Sequence, residues 1–134
     1  MLEIEKIYEP LLKKISGSYL AQRDSYREIA IIVKKQSQIK SQKEIYIFTE
    51  LAGEKEIIFQ EIAERNNFLK KAKNDIAKSL KIEEFTISAL KEKLKTPVIE
   101  ELLMALKEAG DGIQELEIAE KENEENLKKI LNLS

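Results

Sequence analysis

Histidine and cysteine are absent from this chain, and proline (2) and glycine (4) are scarce. Without cysteine no disulfide framework can form, which argues against a small secreted scaffold and suits a reducing compartment. Without histidine the commonest general base and metal ligand is missing. The longest uninterrupted apolar run, Ile29 to Val33, is far too short to span a bilayer. The opening Met-Leu-Glu-Ile-Glu-Lys is acidic and lacks the apolar stretch of a signal peptide. The expectation is a cytoplasmic protein with no stable membrane insertion. Neither Gly-x-Gly-x-x-Gly nor Gly-x-x-x-x-Gly-Lys-Ser/Thr occurs, so there is no phosphate cradle. Carboxylates are plentiful, as in Glu61 and Glu64 or Glu120, Glu122, Glu124 and Glu125, but no histidine completes a Glu-x-x-His di-iron set. No catalytic, cofactor-binding or metal-binding residue is therefore assigned, no cofactor is expected, and an enzyme is not the reading.

What the chain does have is 36% charged and 43% hydrophobic residues, the profile of long amphipathic helices. Its 134 residues suit one domain, large enough to bury roughly 65 to 70% of its unfolded surface. Helix 1 is expected over 1–40, with Ile4, Tyr8, Leu11, Ile15, Tyr19, Tyr26, Ile29 and Val33 near one face. Pro10 and Ser16-Gly17-Ser18 weaken it, marking a start or a bend. Ser41-Gln42-Lys43-Glu44 fits a capping box. Helix 2 follows over 43–80, its seam reading Ile45, Phe48, Ala52, Phe59, Ile62, Leu69, Ile76, Leu80, interrupted by Lys55, Asn66 and Lys73. Gly53 inside it costs about 1 kcal/mol relative to alanine.

The connector, 81–96, holds a short helix capped by Thr86 or Ser88, and Thr96-Pro97 caps a last helix over 97–132. That helix carries a stripe at Ile99, Leu102, Leu106, Ala109, Ile113, Leu116, Ala119, Asn123, Leu127 and Ile130. Gly110-Asp111-Gly112 is its soft point, a hinge or a weak stretch. The fold expected is all-α: an elongated, coiled-coil-like antiparallel bundle of three long helices with a short connecting helix. Charge is segregated along it. Lys13 to Lys43 holds eight Lys/Arg against Asp24 and Glu28, while Pro97 to Glu125 holds ten acids against Lys107 and Lys121, so helices from the two segments would attract if they lie side by side.

The basic stretch Lys34, Lys35, Lys40, Lys43 is the one foothold for nucleic acid, but the chain is acidic overall and no aromatics interleave. Lysines at a helix C-terminus suit its dipole, and no nucleic-acid partner is expected. The tyrosines Tyr8, Tyr19 and Tyr26 and the phenylalanines Phe48, Phe59, Phe68 and Phe85 read as core, while Tyr46 and Ile47 fall off the main seam of helix 2, either on a second buried face or on an exposed apolar strip offered to a partner. Asn123 sits on a seam, either as a register-fixing polar residue or facing water beyond the bundle.

Leu51 to Leu90 resembles the middle of the FlgN-type flagellar export chaperones. The residues that carry this are Glu54-Lys55-Glu56, Glu64-Arg65, Ala77-Lys78-Ser79-Leu80-Lys81-Ile82 and Thr86-Ile87-Ser88-Ala89-Leu90. Glu122-Asn123-Glu124-Glu125-Asn126-Leu127 is similar to that family's Asn-x-x-Asn-Leu ending. Lys81 departs from the family, standing where glycine is common, and so does Lys43, where a small or acidic residue often marks the turn. The resemblance implies a cytoplasmic, non-ATPase chaperone. It would keep the hook-associated (hook–filament junction) proteins FlgK and FlgL unpolymerised and deliver them to the flagellar export apparatus. It also implies partner contacts at Leu116, Ala119, Asn123, Asn126, Leu127, Ile130 and Leu131 in the last helix. The alternative is a structural coiled coil or homo-oligomeric adaptor whose C-terminal stripe pairs with itself; the chaperone would be a monomer or weak homo-oligomer.

Overall fold

A computed structural model describes residues 3–132, with side chains from Glu5 onward, so the expected role of Ile4 lies outside the described residues. Over this range the chain forms α1 (Glu3–Ser37), a 3₁₀ turn (Gln42–Glu44), α2 (Ile45–Leu80), α3 (Ile87–Lys93) and α4 (Val98–Asn132), without a strand. The protein is an all-α bundle.

Local chemistry sets the boundaries. α1 runs unbroken through Pro10 and Gly17, both on exposed positions. The capping box expected at Ser41 is not made: Ser41 is extended, its side chain caps nothing, and its backbone carbonyl instead accepts from Glu44 N–H at 3.1 Å. That tighter 3₁₀ closure delays α2 to Ile45. α2 ends on Lys81 in the left-handed region (φ 60°, ψ 44°), with Ile82 N–H donating to Ala77 O at 3.0 Å and Lys81 N–H to Lys78 O at 3.3 Å. This is the Schellman pair that glycine normally serves. Thr86 caps α3, its Oγ1 accepting from Ala89 N–H at 3.1 Å. Thr96 Oγ1 accepts from Val98 N–H at 3.3 Å at the start of α4.

α1 is the shared partner. It packs most intimately with α4, next with α2, while α2 and α4 approach each other little. α4 runs parallel to α1: the buried Glu5 carboxylate accepts from Lys95 N–H at 2.8 Å, Arg23 pairs with Glu108, Arg27 with Glu115 at 3.1 Å, and Asn126 Nδ2 donates to Ile39 O at 3.1 Å. α2 runs antiparallel, with Tyr8 hydroxyl bonded to Ser79, Lys73 Nζ to Tyr19 hydroxyl at 3.0 Å, and Gln36 Nε2 to Phe48 O at 3.0 Å. The opposed charge segments of α1 and α4 thus do lie side by side and pair twice across their interface.

Two apolar clusters result. One gathers Tyr8, Leu12, Ile15, Leu69, Ile76, Leu80, the connector's Leu90 and Leu94, and Val98, Ile99, Leu102. The other holds Ile29, Ala30, Ile32, Val33, Ile58, Ile62, Leu116 and Ala119. Leu12, not Leu11, enters the core, and Leu11 is exposed. Between the clusters lies a polar layer. Gln22 donates to Asn66 Oδ1 at 2.8 Å and to Ile62 O at 3.2 Å, and Arg65 Nη1 donates to Gln22 Oε1 at 3.0 Å and Ser25 Oγ at 2.6 Å.

Gly110-Asp111-Gly112 is no hinge, since α4 is continuous through it. Gly112 is buried against α1, where a Cβ would stand 3.1 Å from Arg23 O and 3.2 Å from Arg23 Cα. A Cβ there is tighter than an ordinary contact, so the Arg23 backbone would have to give by a few tenths of an ångström. Gly53 and Gly110 face open space. Gly53→Ala and Gly110→Ala are each expected to stabilise the protein by about 1 kcal/mol through helix propensity. Gly112→Ala is expected to forfeit that gain or reverse it, and urea unfolding of the three variants checks the contrast. Lys81→Gly is expected to add about 1 kcal/mol by relieving the left-handed backbone, measured the same way.

Candidate protein-binding cleft

Because α2 and α4 both lean on α1 and barely on each other, a cleft opens between them with α1 as its floor. At its centre it encloses about 510 Å³. Tyr19, Gln22 and Tyr26 form the floor; Asn66, Lys70, Lys73 and Asn74 form the α2 wall; Ala109 and Ile113 form the α4 wall; Glu83 to Phe85 of the connector close one end. The lining is mixed: a polar floor held by the Gln22–Asn66 and Lys73–Tyr19 bonds, with apolar walls further on. Among the described residues no three His, Cys, Asp or Glu side chains gather as a metal-binding group, and no helix is long and apolar enough to cross a membrane.

The expected partner residues of α4 are distributed unevenly. Leu116 and Ala119 are buried in the second apolar cluster, and Ile130 is buried as well. Asn123 is neither a solvent-facing residue nor a satisfied one: it is buried, and its Oδ1 has no hydrogen-bond partner. Asn126 spends its amide on Ile39 O, and Leu127 is half-buried. Leu131 is 54% exposed. Most of the stripe therefore packs on α1 and α2 within the same chain, because α4 stays on α1 to its end and does not leave the bundle after Gly112. Leu127 and Leu131 are the members of the set left with accessible apolar surface.

Of the expected α2 seam, Ile45, Phe48 and Phe59 stay out of the core, and Tyr46 lies on an exposed strip. No residue between Ile45 and Ile57 is buried, although the stretch holds Ile45, Tyr46, Ile47, Phe48, Leu51 and Ile57. Ile57 is 63% exposed, Tyr46 61% and Phe59 39%. Of the aromatics expected in the core only Tyr8 is fully buried; Tyr19, Tyr26, Phe48, Phe68 and Phe85 are half-buried. Lys34, Lys35, Lys40 and Lys43 all sit exposed around the α1–α2 turn.

Desolvation pushes the Tyr26 phenol above its ordinary pKa of 10.0. The folded value then exceeds the unfolded one. Below pH 10 the phenol is neutral in both states; as pH rises from there through the raised folded value, only the unfolded chain gains by ionising, and stability is lost. Tyr26→Phe is expected to lose less stability than the native chain between about pH 8 and pH 11, read from denaturant midpoints at each pH.

No protein family, curated protein or solved structure matches this chain in comparisons of all three kinds.

Proposed function

We propose that this chain is a protein-binding chaperone of the FlgN export type, holding the hook–filament junction proteins FlgK and FlgL for the flagellar export apparatus in the cytoplasm. The observation that carries a binding role is the N-terminal third of α2. Burying one large apolar side chain is worth roughly 1.5 to 3 kcal/mol, so the exposed Ile45, Tyr46, Ile57 and Phe59 leave a free-energy gain to a partner. Exposed apolar side chains gathered on one helix segment mark interaction sites. The FlgN-like residues Ala77-Lys78-Ser79-Leu80-Lys81-Ile82 and Glu122 to Leu127 supply the choice of client.

The chemistry is suited to the task without nucleotide or metal. An exported filament protein has amphipathic ends that pair with copies of themselves, and a matching apolar surface occupies those ends reversibly. The accessible half of the implied site is Leu127 and Leu131, since Ile130 supports the bundle itself.

Titration calorimetry of the chain against the C-terminal segment of a junction protein tests the reading. Binding is expected, and Leu127→Asp with Leu131→Asp is expected to weaken it by about ten-fold or more while circular dichroism stays helical. Absence of binding by the native chain would overturn the chaperone reading. A stable, concentration-independent dimer in light scattering that buries these leucines would favour the homo-oligomeric adaptor instead.

A further inference from the structure

Beyond the central cavity the faces that form its two walls continue along their helices. Asn66 lines the α2 wall, and stepping back along α2 by threes and fours from Asn66 gives Ala63, Phe59, Lys55, Ala52, Phe48 and Ile45, which share its face. Ile113 lines the α4 wall, and the same steps forward give Glu117, Glu120, Glu124, Leu127 and Leu131. The α4 wall covers five helical turns, about 27 Å, and the α2 wall nearly six, about 32 Å. The α2 wall is apolar apart from Lys55, with Ile45 and Phe59 exposed to 37% and 39%. The α4 wall carries an exposed acidic ridge between apolar ends. Glu117 and Glu120 make no ion pair among the described residues, and Glu124 pairs only along its own helix, with Lys128 at 3.5 Å.

Two amide oxygens at this end of the bundle, Gln36 Oε1 on α1 and Asn123 Oδ1 on α4, are buried without partners. Gln36 is tied by its amide to Phe48 O on the α2 wall, and Asn123 precedes by one turn the Asn126 that bonds Ile39. A buried acceptor left unpaired costs about 1 to 3 kcal/mol, so this end of the bundle lacks hydrogen-bond donors as well as apolar cover.

We propose that the cleft receives one amphipathic α-helix of the client as a fourth helix of the bundle, its apolar face on Ile45, Phe48, Ala52 and Phe59 and a Lys/Arg flank on Glu117, Glu120 and Glu124. The occupant is chosen by charge: acids line α4, the one cation of this stretch, Lys55, lies on α2, and a helix with basic residues on one flank complements both walls in a single orientation. This rests on the chaperone reading and specifies its client segment.

The test uses the full chain and two synthetic amphipathic peptides of about five turns, identical on their Leu/Ile face, one flanked by Lys/Arg and the other by Glu. Fluorescence anisotropy is expected to show the basic peptide binding at least about ten-fold more tightly than the acidic one. Ala52→Asp with Phe59→Asp is expected to abolish binding of both. Glu117→Lys, Glu120→Lys and Glu124→Lys together are expected to reverse the preference, a gain of affinity for the acidic peptide that a misfolded chain cannot give. Unchanged affinity in the first variant, an unreversed preference in the second, or sedimentation showing that the stripe instead joins two copies of this chain would each overturn the cleft assignment. Junction-protein binding measured on the same variants separates the two ideas. Clients bound by native chain and variants alike remove the cleft and keep the chaperone; peptide preference without client binding does the reverse.

Discussion

Everything else in this molecule follows from how closely α4 lies on α1. Ala105, Ala109, Gly112 and Ala119 are buried on α4, and at Gly112 a methyl group would stand only 3.1 to 3.2 Å from the Arg23 backbone. Two long helices that approach so nearly occupy each other's interacting faces along their length, and the parallel pairing is fixed from Glu5–Lys95 at one end to Ile39–Asn126 at the other. α2 takes a second face of α1 and shares both apolar clusters with α4, but its backbone does not close on α4 as α1 does. The open cleft is therefore a geometric result of small residues elsewhere.

The helices, their order and the caps at Thr86 and Thr96 were legible because they depend on neighbours in the chain. The direction of each apolar stripe was not. The α2 seam from Ile45 to Leu80 repeats in heptads, and a straight α-helix drifts about 20° per heptad against such a repeat. Over five heptads that comes to about 100°. Ile62, Leu69, Ile76 and Leu80 thus face α1, whereas Ile45, Phe48, Ala52 and Phe59 have rotated onto the side that α4 does not cover. A seam that reads as one line in the sequence is two faces in space. α4 shows no such drift: Leu102, Ala109, Leu116, Asn123 and Ile130 stay buried every seven residues, and the small residues Ala105, Gly112 and Ala119 on one side of that line are buried with them, not Leu106, Ile113 and Leu127 on the other.

Gly112 shows the second gap. A glycine beside Gly110 and Asp111 looks like flexibility when only local propensity is counted, because helix interiors lose about 1 kcal/mol there. What decides its role is a backbone eighty-nine positions earlier, and no local pattern encodes that contact. Asn123 is similar. Its place on the seam was evident, but whether its buried oxygen meets a donor depends on which side chains the other helices bring beside it, and no local pattern states that.

The polar layer ties stability to the cleft. Gln22 and Arg65 are bonded to each other, and Gln22 alone holds Asn66, so α1 and α2 are locked in register at the point where the cleft begins. Sliding α2 by one turn to bury its exposed N-terminal stripe would break three side-chain bonds and strand a guanidinium and two amides in partly buried positions, at a cost of about 1 to 3 kcal/mol for each group. That cost opposes the rearrangement that would close the cleft from within. Apolar surface at Ile45, Phe48 and Phe59 is then kept out of the core by the buried hydrogen bonds that hold the bundle in register.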